Sequence, residues 1–349
     1  MGMDDAGSGL RGLRAKHSPK LCVAVRDHYD IEGLDGGSDL GGSSNLNLLV
    51  AGDNGRFVVR VYRPHVTAAR LDDIQHVRRA LSANGMPCSE VVPTRDGKPW
   101  IVWEGRLVEV ERYVASDAKM DSWERVEAGL PLLGRIHSLL ETVTISADGR
   151  RSVFANHIAP EDALGGTLRG TRRIRDWGPT PNELRLAEAA EDLAHQVSAA
   201  EQDTVPAIPR QLVHGDYWDN NVFFRDGRVS LVNDWDFMGE RARIDDLALT
   251  LFFASATLRD DHSSDEAQLE RLRSLVNAYD QGLERSLSRV ERAALPLALA
   301  RQPLWSLGVW VALLDDESRA RQHAAGMMGD VTWASGIMRG LDRWQAAFA

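Results

Sequence analysis

The periodicity of apolar residues changes once along this chain, and that change limits the folds available to it. From Leu21 to about Arg112, short apolar runs alternate with turn residues, which predicts mostly strands. One helical pattern at 67–83 interrupts them. From about Val114 onward, the three- and four-residue spacing of helices dominates, except for an island of strand character at 211–237. The sequence therefore predicts an α+β protein with a β-rich N-terminal lobe and a mostly helical C-terminal lobe.

The chain's 349 residues suffice for two lobes that each bury apolar side chains. We place the β-rich lobe at 19–112 and the helical lobe at 113–349. Residues 1–18 are rich in Gly, Asp, Ser and Arg and are expected to form a mobile tail.

Composition and charge argue against several classes of protein. A formal charge of −10 does not suit nucleic-acid binding, which needs a basic face. The two cysteines, Cys22 and Cys88, form no CxxC or Cys/His cluster, so neither a zinc site nor a disulfide framework is expected. The apolar stretch from Leu295 to Leu314 is broken by Arg301, so it does not predict a membrane span. We expect a cytoplasmic protein without a membrane partner.

The island at 211–237 predicts a hairpin. Val222–Phe224 and Val229–Val232 are short β runs, and Asp226-Gly227 between them is a turn pair typical of hairpins. A hairpin returns its second strand to the place where its first began. The residues that flank the two runs on their outer sides are therefore expected to lie together.

Three oxygen-bearing side chains fall at that open end of the hairpin. Asn221 precedes the first strand, Asp234 follows the second, and Asp216 lies in the preceding loop. Carboxylate and amide oxygens suit Mg²⁺, which takes one or two protein ligands and completes its shell with phosphates and waters. A further carboxylate can orient a hydroxyl group and accept its proton. Turn capping would explain one such residue better than three at this spacing.

With their neighbours, these residues resemble the catalytic and metal motifs of the aminoglycoside phosphotransferase family, which also holds choline, homoserine and fructosamine kinases. The matching motif is His214-Gly215-Asp216, Asn221, Asp234-Trp235-Asp236 and Asp246-Leu247-Ala248. The resemblance implies that Asp216 is the catalytic base or orienting carboxylate and that Asn221 and Asp234 hold Mg²⁺. It gives His214 and Asp246 supporting roles, and it implies a bilobal, protein-kinase-like fold.

The resemblance extends into the β-rich lobe, where the stretch 40–45 is similar to the family's nucleotide loop. Glycines let the backbone approach phosphate oxygens, and serine hydroxyls add donors. The residues implied to bind the nucleotide are Gly41, Gly42, Ser43, Ser44, Asn45, Arg60, Glu111 and Tyr113. The base is expected against a hinge at 109–113, where extended backbone could read adenine or guanine, so both ATP and GTP stay open.

Two departures from the family pattern concern Arg60. The family usually places a lysine on the third strand of the small lobe, where this chain offers Arg60 as its basic residue. Arginine can bind phosphates bidentately and stays charged. The acidic partner expected in the following helix is not obvious, because the aligned place holds Gln75 or His76. The ion pair is therefore expected to be absent or supplied from elsewhere.

The resemblance implies a Mg²⁺-dependent enzyme that moves the γ-phosphate of ATP or GTP to a hydroxyl group of a small molecule. Negative charge from Asp219, Asp236 and Glu240 would favour an acceptor that carries an amine, and Trp305 could stack on a ring. A basic cluster at 169–175 could instead meet an anionic acceptor, although such clusters are more often solvated surface.

Three functions stay open at this point. We favour a kinase that inactivates an antibiotic of the aminoglycoside, aminocyclitol or nucleoside type. The alternative is a metabolic kinase of an amino alcohol, an amino acid or a sugar. A non-catalytic nucleotide-binding module is disfavoured, because Asp216, Asn221 and Asp234 are all present. The sequence does not specify an oligomeric state.

Overall fold

One antiparallel sheet forms the frame of the N-terminal lobe. The computed structural model describes residues 14–31, 37–42, 45–151, 156–202, 204, 207–258 and 265–349. The strands of this lobe are β1 (Ser38–Asp39), β2 (Leu46–Gly52), β3 (Gly55–Val61), β4 (Val91–Val92), β5 (Ile101–Trp103) and β6 (Arg106–Arg112). Their order is β1-β2-β3-β6-β4, and β5 also pairs with β6. The strands predicted between 47 and 113 are confirmed with small shifts of their ends.

A helix, α1 (Pro19–His28), precedes the sheet where strands were predicted from Leu21 onward. Ser18 caps it by accepting a hydrogen bond from the backbone of Lys20, and Pro19 stands in its first turn. Leu21 and Val25, four residues apart, are fully buried within the cluster of apolar side chains around the sheet. Capping and this spacing outweigh the β propensity of the local valines.

The predicted tail, 1–18, is described only from Arg14 onward. There Arg14 forms an ion pair with Asp39 of β1, and Ala15 is buried in the apolar cluster of the sheet. Residues 14–18 therefore pack on the N-terminal lobe, which corrects the end of the predicted tail. Its remainder lies outside the described residues.

Helix α2 (Ala68–Ala83) packs against the sheet and the second lobe, and it confirms the helical pattern predicted for 67–83. Thr67 caps its first turn. The predicted apolar face, formed by Leu71, Ile74, Val77 and Leu81, is buried in the larger of the two apolar clusters. The same helix also buries Gln75 and Arg78.

A buried polar network joins α2 to β6. Arg78 lies 2.8 Å from a Glu109 carboxylate oxygen and 3.2 Å from one of Glu111. Gln75 and Tyr62 donate to Glu109 at 2.7 and 2.6 Å. Buried carboxylates need such partners because an unpaired charge in the interior is costly. The pairing therefore fixes the helix on the sheet.

An extended segment, 113–116, leads from β6 into the C-terminal lobe. The helices of that lobe are α3 (Trp123–Leu140), α4 (Ala147–Arg150), α5 (Pro160–Asp176), α6 (Pro181–Glu201), α7 (Arg243–Leu258), α8 (Asp265–Gln281), α9 (Arg289–Arg301), α10 (Glu317–Ala325), α11 (Met327–Arg339) and α12 (Leu341–Phe348). Its strands are β7 (Ala118–Lys119), β8 (Arg210–Val213), β9 (Val222–Arg225), β10 (Arg228–Val232) and β11 (Gly239–Ala242). They form two small sheets, β10-β9-β7 and β11-β8.

Helix α3 forms the centre of the C-terminal core. The sequence predicts a helix with the same bounds, because Leu130, Leu133, Ile136, His137 and Leu140 recur at the spacing of one helix face. Ser122 caps its start by accepting from the backbone of Arg125. Its predicted inner face, which includes Leu133 and His137, is buried against α8 and the small sheets. None of the helices within the described ranges is long and apolar enough to cross a membrane.

Replacing Arg78 tests the buried network. Arg78→Met should lower the free energy of unfolding by about 3–5 kcal/mol, because Glu109 would stay buried with only neutral donors. Urea unfolding of both proteins measures the difference. The matched control is Arg79→Met on the exposed side of α2, expected within about 0.5 kcal/mol of the parent. Equal stabilities of the two variants would contradict this account of the network.

Candidate active site

The hairpin of β9 and β10 brings its flanking residues together as predicted. Arg225 pairs with Arg228 beside the turn, and Val222 pairs with Val232 at the open end. There the backbone N–H of Asn233 donates to the carbonyl of Asn221 at 2.8 Å. Asn221 and the residue after Asn233 therefore leave the sheet side by side.

Asp216 lies at this open end with both carboxylate oxygens occupied. It is 4% exposed. Its Oδ2 accepts from Asn221 Nδ2 at 2.7 Å, and its Oδ1 accepts from Asn156 Nδ2 at 2.9 Å. Burial raises the pKa of Asp216 to about 7, although Asn221, Trp218 and Asn156 oppose that rise. A buried carboxylate with this pKa can accept a proton near neutral pH.

Asn156 is a site residue that the sequence analysis missed. It lies 60 positions before Asp216 along the chain, in an irregular segment that precedes α5. No periodic pattern or recognised motif includes it, so no sequence signal pointed to it.

The backbone of the loop that carries Asp216, the predicted catalytic loop, is set by Gly215 and His214. Gly215 has φ +80°, and a Cβ there would lie 2.3 Å from the carbonyl oxygen of Phe237, so glycine is required. The N–H of Asp216 donates to His214 Nδ1 at 3.2 Å, and His214 Nε2 lies 3.0 Å from the carbonyl oxygen of Asn233. Burial lowers the pKa of His214 to about 4, so the ring is neutral with its proton on Nε2.

Asp246 anchors the same loop to the helical core. Its Oδ1 accepts from the N–H of Gly215 at 3.0 Å, and its Oδ2 lies 3.1 Å from His137 Nε2. His137 Nδ1 lies in turn 2.7 Å from the hydroxyl of Tyr279 on α8. These contacts give Asp246 the supporting position that the motif implied, and they link the loop to α3 and α8.

Asp234 faces the same space from the other side of the hairpin. Its backbone is left-handed, with φ +63°, which is uncommon for a residue other than glycine and concentrates at functional sites. Its side chain is 27% exposed. Burial, followed by the neighbouring Asp236 carboxylate, raises the pKa of Asp234 well above its usual value, whereas Arg60 opposes the rise. A cation beside Asp234 would therefore be favourable.

Arg60 on β3 reaches Asp234 across the two lobes. Its Nη1 lies 3.1 Å from Asp234 Oδ1, and its Nη2 donates to Asn233 Oδ1 at 2.6 Å. The acidic partner missing from α2 is supplied by β6, because Arg60 Nε lies 3.4 Å from Glu111. Helix α2 contributes Arg78 to the same carboxylate. The acid that the resemblance places on α2 therefore lies on β6, α2 contributes a basic residue instead, and β3 keeps Arg60 as its basic residue.

Three of the predicted contacts have side chains that are engaged with other protein groups in the structure. Glu111 lies in the buried network of β6 and α2, so it cannot face a nucleotide. Asn45 donates to Asp236 Oδ2 at 2.8 Å and accepts from the backbone N–H of Arg63 at 3.0 Å. Asp236 is 1% exposed and lies 3.7 Å from Arg63 Nη2. Asn45 and Asp236 therefore tie the lobes together, and their contacts with nucleotide and acceptor stay predictions.

The hinge lies later than predicted. Glu111 pairs with strands on both sides, through Val58 and Val91, so its backbone is not free to read a base. The extended segment after β6 begins at Tyr113, whose N–H donates to the carbonyl of Arg56 at 3.0 Å. The guanidinium of Arg56 lies 4.3 Å from the centre of the Tyr113 ring. The contact between this hinge and a base stays a prediction.

The predicted nucleotide loop joins β1 to β2 and is described in part. Gly41 and Gly42 have φ values of +89° and +114°, in the region that favours glycine. The N–H of Gly41 donates to Asp39 Oδ1 at 2.8 Å, which fixes the start of the loop. Ser43 and Ser44 lie outside the described residues, so their predicted phosphate contacts stay predictions.

The other predicted acceptor contacts differ in their surroundings. Asp219 follows Asp216 in the catalytic loop, is about half buried, and has an Oδ1 atom without a hydrogen-bond partner among the described residues. Glu240 pairs with Arg150 at 3.3 Å. Trp305 packs partly buried against the helical core, with its ring 6.0 Å from that of Trp310. Asp219 therefore has the strongest geometric support of the three.

Two of the four arginines in the basic cluster at 169–175 are engaged in structural contacts. Arg173 donates to the carbonyl of Val311 at 3.0 Å, and Arg175 pairs with Glu191. An anionic acceptor has correspondingly little support from these side chains.

The donor set at the open end fits a hard divalent cation that is shared with phosphates. Within the described ranges, no group of three or more His, Cys, Asp or Glu side chains could hold a metal by itself. Asn221 and Asp234 supply one amide and one carboxylate oxygen, and Mg²⁺ commonly takes one or two protein ligands. The partly exposed Asp234 carboxylate has an unfavourable acidic neighbour in Asp236, which a bound cation would offset.

Comparison with solved structures confirms the predicted fold class. A microcompartment-associated aminopropanol kinase superposes with a TM-score of 0.68 at 20% identity, covering 93% of this chain and 98% of its own. An amicoumacin kinase in complex with AMP-PNP and Ca²⁺ superposes with a TM-score of 0.66 at 13% identity, covering 92% and 94%. Similarity at these identities shows a shared kinase-like fold.

Comparison of sequences identifies the family. A homoserine kinase of Gluconacetobacter diazotrophicus is 26% identical over 265 residues, which cover 74% of this chain and 75% of that protein. The model of the phosphotransferase enzyme family, APH, matches residues 38–293. Because this match spans well over half of the chain, the protein belongs to the APH family and is a small-molecule phosphotransferase that acts on a hydroxyl group.

Proposed function

We propose that this protein transfers the γ-phosphate of ATP or GTP, bound with Mg²⁺, to the hydroxyl group of a small molecule that carries an amine. The observation that carries the proposal is the meeting of Asp216, Asn221 and Asp234 at the open end of one hairpin. Family membership supports the reaction class, and an AMP-PNP complex of a structural neighbour supports a nucleotide as the donor.

The proposed reaction uses Asp216 as the acceptor of a proton. The acceptor hydroxyl donates a hydrogen bond to this carboxylate, which points its oxygen at the γ-phosphorus. As the new O–P bond forms, the bond to the β-phosphate oxygen breaks, the nucleoside diphosphate leaves, and the hydroxyl proton passes to Asp216. Positioning therefore supplies most of the acceleration, because the loop around Asp216 is already held by buried hydrogen bonds.

Asn221 and Asp234 would hold the metal ion in this proposal. When bound, Mg²⁺ neutralises charge on the transferred phosphate. Arg60 stands beside Asp234 and adds a permanent positive charge on the N-terminal lobe side of the site. Glu111 and Asp234 fix its guanidinium, which lowers the entropy lost when the arginine meets a phosphate oxygen.

Asp219 supports an acceptor that carries an amine. Its unpaired and partly buried Oδ1 atom lies three residues from Asp216, where an ammonium group could supply the missing partner. The ring of the intervening Trp218 lies 4.4 Å from that of Phe253 and forms an aromatic wall next to it. One relative of this chain is named a homoserine kinase, and one structural neighbour is named an aminopropanol kinase. Homoserine and aminopropanol both combine an amino group with a hydroxyl group.

These relatives shift the choice between the two catalytic functions toward metabolism. Homoserine kinases align over about three quarters of the chain. The structural neighbours named for antibiotics are 11–18% identical and carry only the fold. We therefore propose an amino alcohol or a hydroxy amino acid as the acceptor, with an antibiotic as the second candidate.

Removing the carboxylate tests the proposed role of Asp216. Asp216→Asn should lower kcat by about 10²–10⁴ without weakening nucleotide binding, because an amide cannot accept the proton. A coupled assay of ADP or GDP release with Mg²⁺ measures kcat. Asp226→Asn at the exposed hairpin turn is the matched control and should keep the parent rate. A fully active Asp216→Asn enzyme would remove Asp216 from the chemistry.

A panel of acceptors tests the proposed class. Homoserine, 1-amino-2-propanol and ethanolamine should each show kcat/KM about tenfold or more above the analogue that lacks the amino group, since an ion-paired hydrogen bond is lost. Asp219→Asn should narrow that difference. Aminoglycosides and aminocyclitols belong in the same panel. Turnover of antibiotics alone would overturn the metabolic assignment, and equal rates with and without the amine would remove the role of Asp219.

A further inference from the structure

The second amide on Asp216 comes from a part of the chain that no sequence motif includes. Asn156 Nδ2 lies 2.9 Å from Asp216 Oδ1, on the opposite side of the carboxylate from Asn221. Both donors are amides, so neither can compete with Asp216 for the proton at neutral pH.

The backbone of this segment is held from the end of α9. Gln302 Nε2 donates to the carbonyl oxygen of Asn156 at 2.5 Å, and Arg301 Nε donates to that of Ile158 at 3.1 Å. Arg301 and Gln302 are each 2% exposed. Two successive residues of α9 and its cap thus fix two carbonyl groups of the 156–158 segment.

Arg301 is itself held on both sides by carboxylates. It forms ion pairs with Glu201 at the end of α6 and with Asp245 at the start of α7. Asp245 precedes Asp246, which anchors the catalytic loop through Gly215. The segment that carries Asn156 and the loop that carries Asp216 are therefore both anchored to the first turn of α7, the segment through Arg301 and Asp245 and the loop through Asp246.

Two hydrogen bonds fix the orientation of an aspartate carboxylate, whereas one does not. The terminal torsion of an Asp side chain is broad, so a single donor on Oδ2 leaves the carboxylate plane free to rotate. A second donor on Oδ1 from another direction fixes that plane. Each carboxylate oxygen offers about two lone-pair positions, so Oδ1 can still accept from one further hydroxyl group.

We propose that Asn156 is a positioning residue for phosphoryl transfer: it fixes the plane of the Asp216 carboxylate so that a lone pair of Oδ1 faces the acceptor hydroxyl. This inference rests on the proposed function of Asp216. Gln302 acts one step further away, because its hydrogen bond places the backbone of Asn156. A purely structural role for both residues would affect folding and leave the turnover of folded enzyme unchanged.

The test compares the rate of ADP release by Asn156→Ala with that of the parent enzyme. The rate is measured once with homoserine as the acceptor and once without homoserine, where water is the acceptor. Loss of a hydrogen bond to a charged group should lower kcat by about 10- to 100-fold. The KM for ATP should change by less than about twofold, because Asn156 touches no predicted nucleotide contact. Asn182→Ala, which removes an exposed amide near the start of α6, is the matched control and should keep the parent kcat.

Gln302→Met supplies a second readout, because it keeps the bulk of the side chain and removes the donor. It should lower kcat by a smaller factor than Asn156→Ala, and the double variant should be no slower than Asn156→Ala alone, since both changes act through one contact. Independent, multiplying effects would contradict the proposed order of action.

The outcomes separate this inference from the proposed function. If Asp216→Asn is inactive while Asn156→Ala keeps the parent kcat, the role of Asn156 is overturned and that of Asp216 stands. If Asp216→Asn keeps full activity, the proposed role of Asp216 is overturned, and the role of Asn156, which rests on it, is overturned with it. If no acceptor is turned over, urea unfolding of Asn156→Ala, Asp216→Ala and the double variant decides. A coupling of about tenfold in the unfolding constant is expected, and additive effects would overturn the contact.

Discussion

The hydrogen bond from Asn221 to Asp216 is the contact on which the rest of the site depends. It joins the loop after β8 to the start of β9, and the hairpin then places Asp234 beside Asn221. The carboxylate can stay buried because amides occupy both of its oxygens. Burial keeps its pKa near 7. A carboxylate with a fixed geometry and moderate basicity is suited to accept the proton of a substrate hydroxyl group.

A second constraint connects the two lobes through buried charges. Arg70 of α2 donates to the carbonyl oxygens of Asp236 and Met238 at 2.9 and 2.6 Å, and Asn45 holds the carboxylate of Asp236. Arg60 joins Asp234 from β3. The residues that follow β10 thus form contacts with α2, with β3 and with Asn45, which directly precedes β2. Each of these contacts pairs a desolvated charge or amide, so removing one partner while the interface stays closed would leave the other buried and unpaired, which is costly.

Periodicity and turn chemistry predicted the sheet, α2, α3 and the hairpin, because these depend on local spacing and on the Asp226-Gly227 pair. The convergence of Asp216, Asn221 and Asp234 followed from the hairpin alone. Glu111 and Asn45 lie in buried contacts that were not predicted, since the sequence does not show which buried partner a polar side chain meets across the sheet. Asn156 was missed for a related reason: contacts between distant, irregular segments have no periodic signature. The family pattern places the acidic partner of Arg60 on α2. Only the three-dimensional arrangement reveals that Glu111 of β6 takes that place.

The central claim is that Asn221 and Asp234 hold a metal ion together with the nucleotide beside Asp216. Calorimetric titration of ATP into the parent enzyme and into Asp234→Asn, each at several Mg²⁺ concentrations, tests it most directly. The account predicts that ATP binding to the parent strengthens with Mg²⁺, and that the substitution weakens binding by about tenfold or more at the same Mg²⁺ concentration. The same dependence on Mg²⁺ in both proteins would contradict the account.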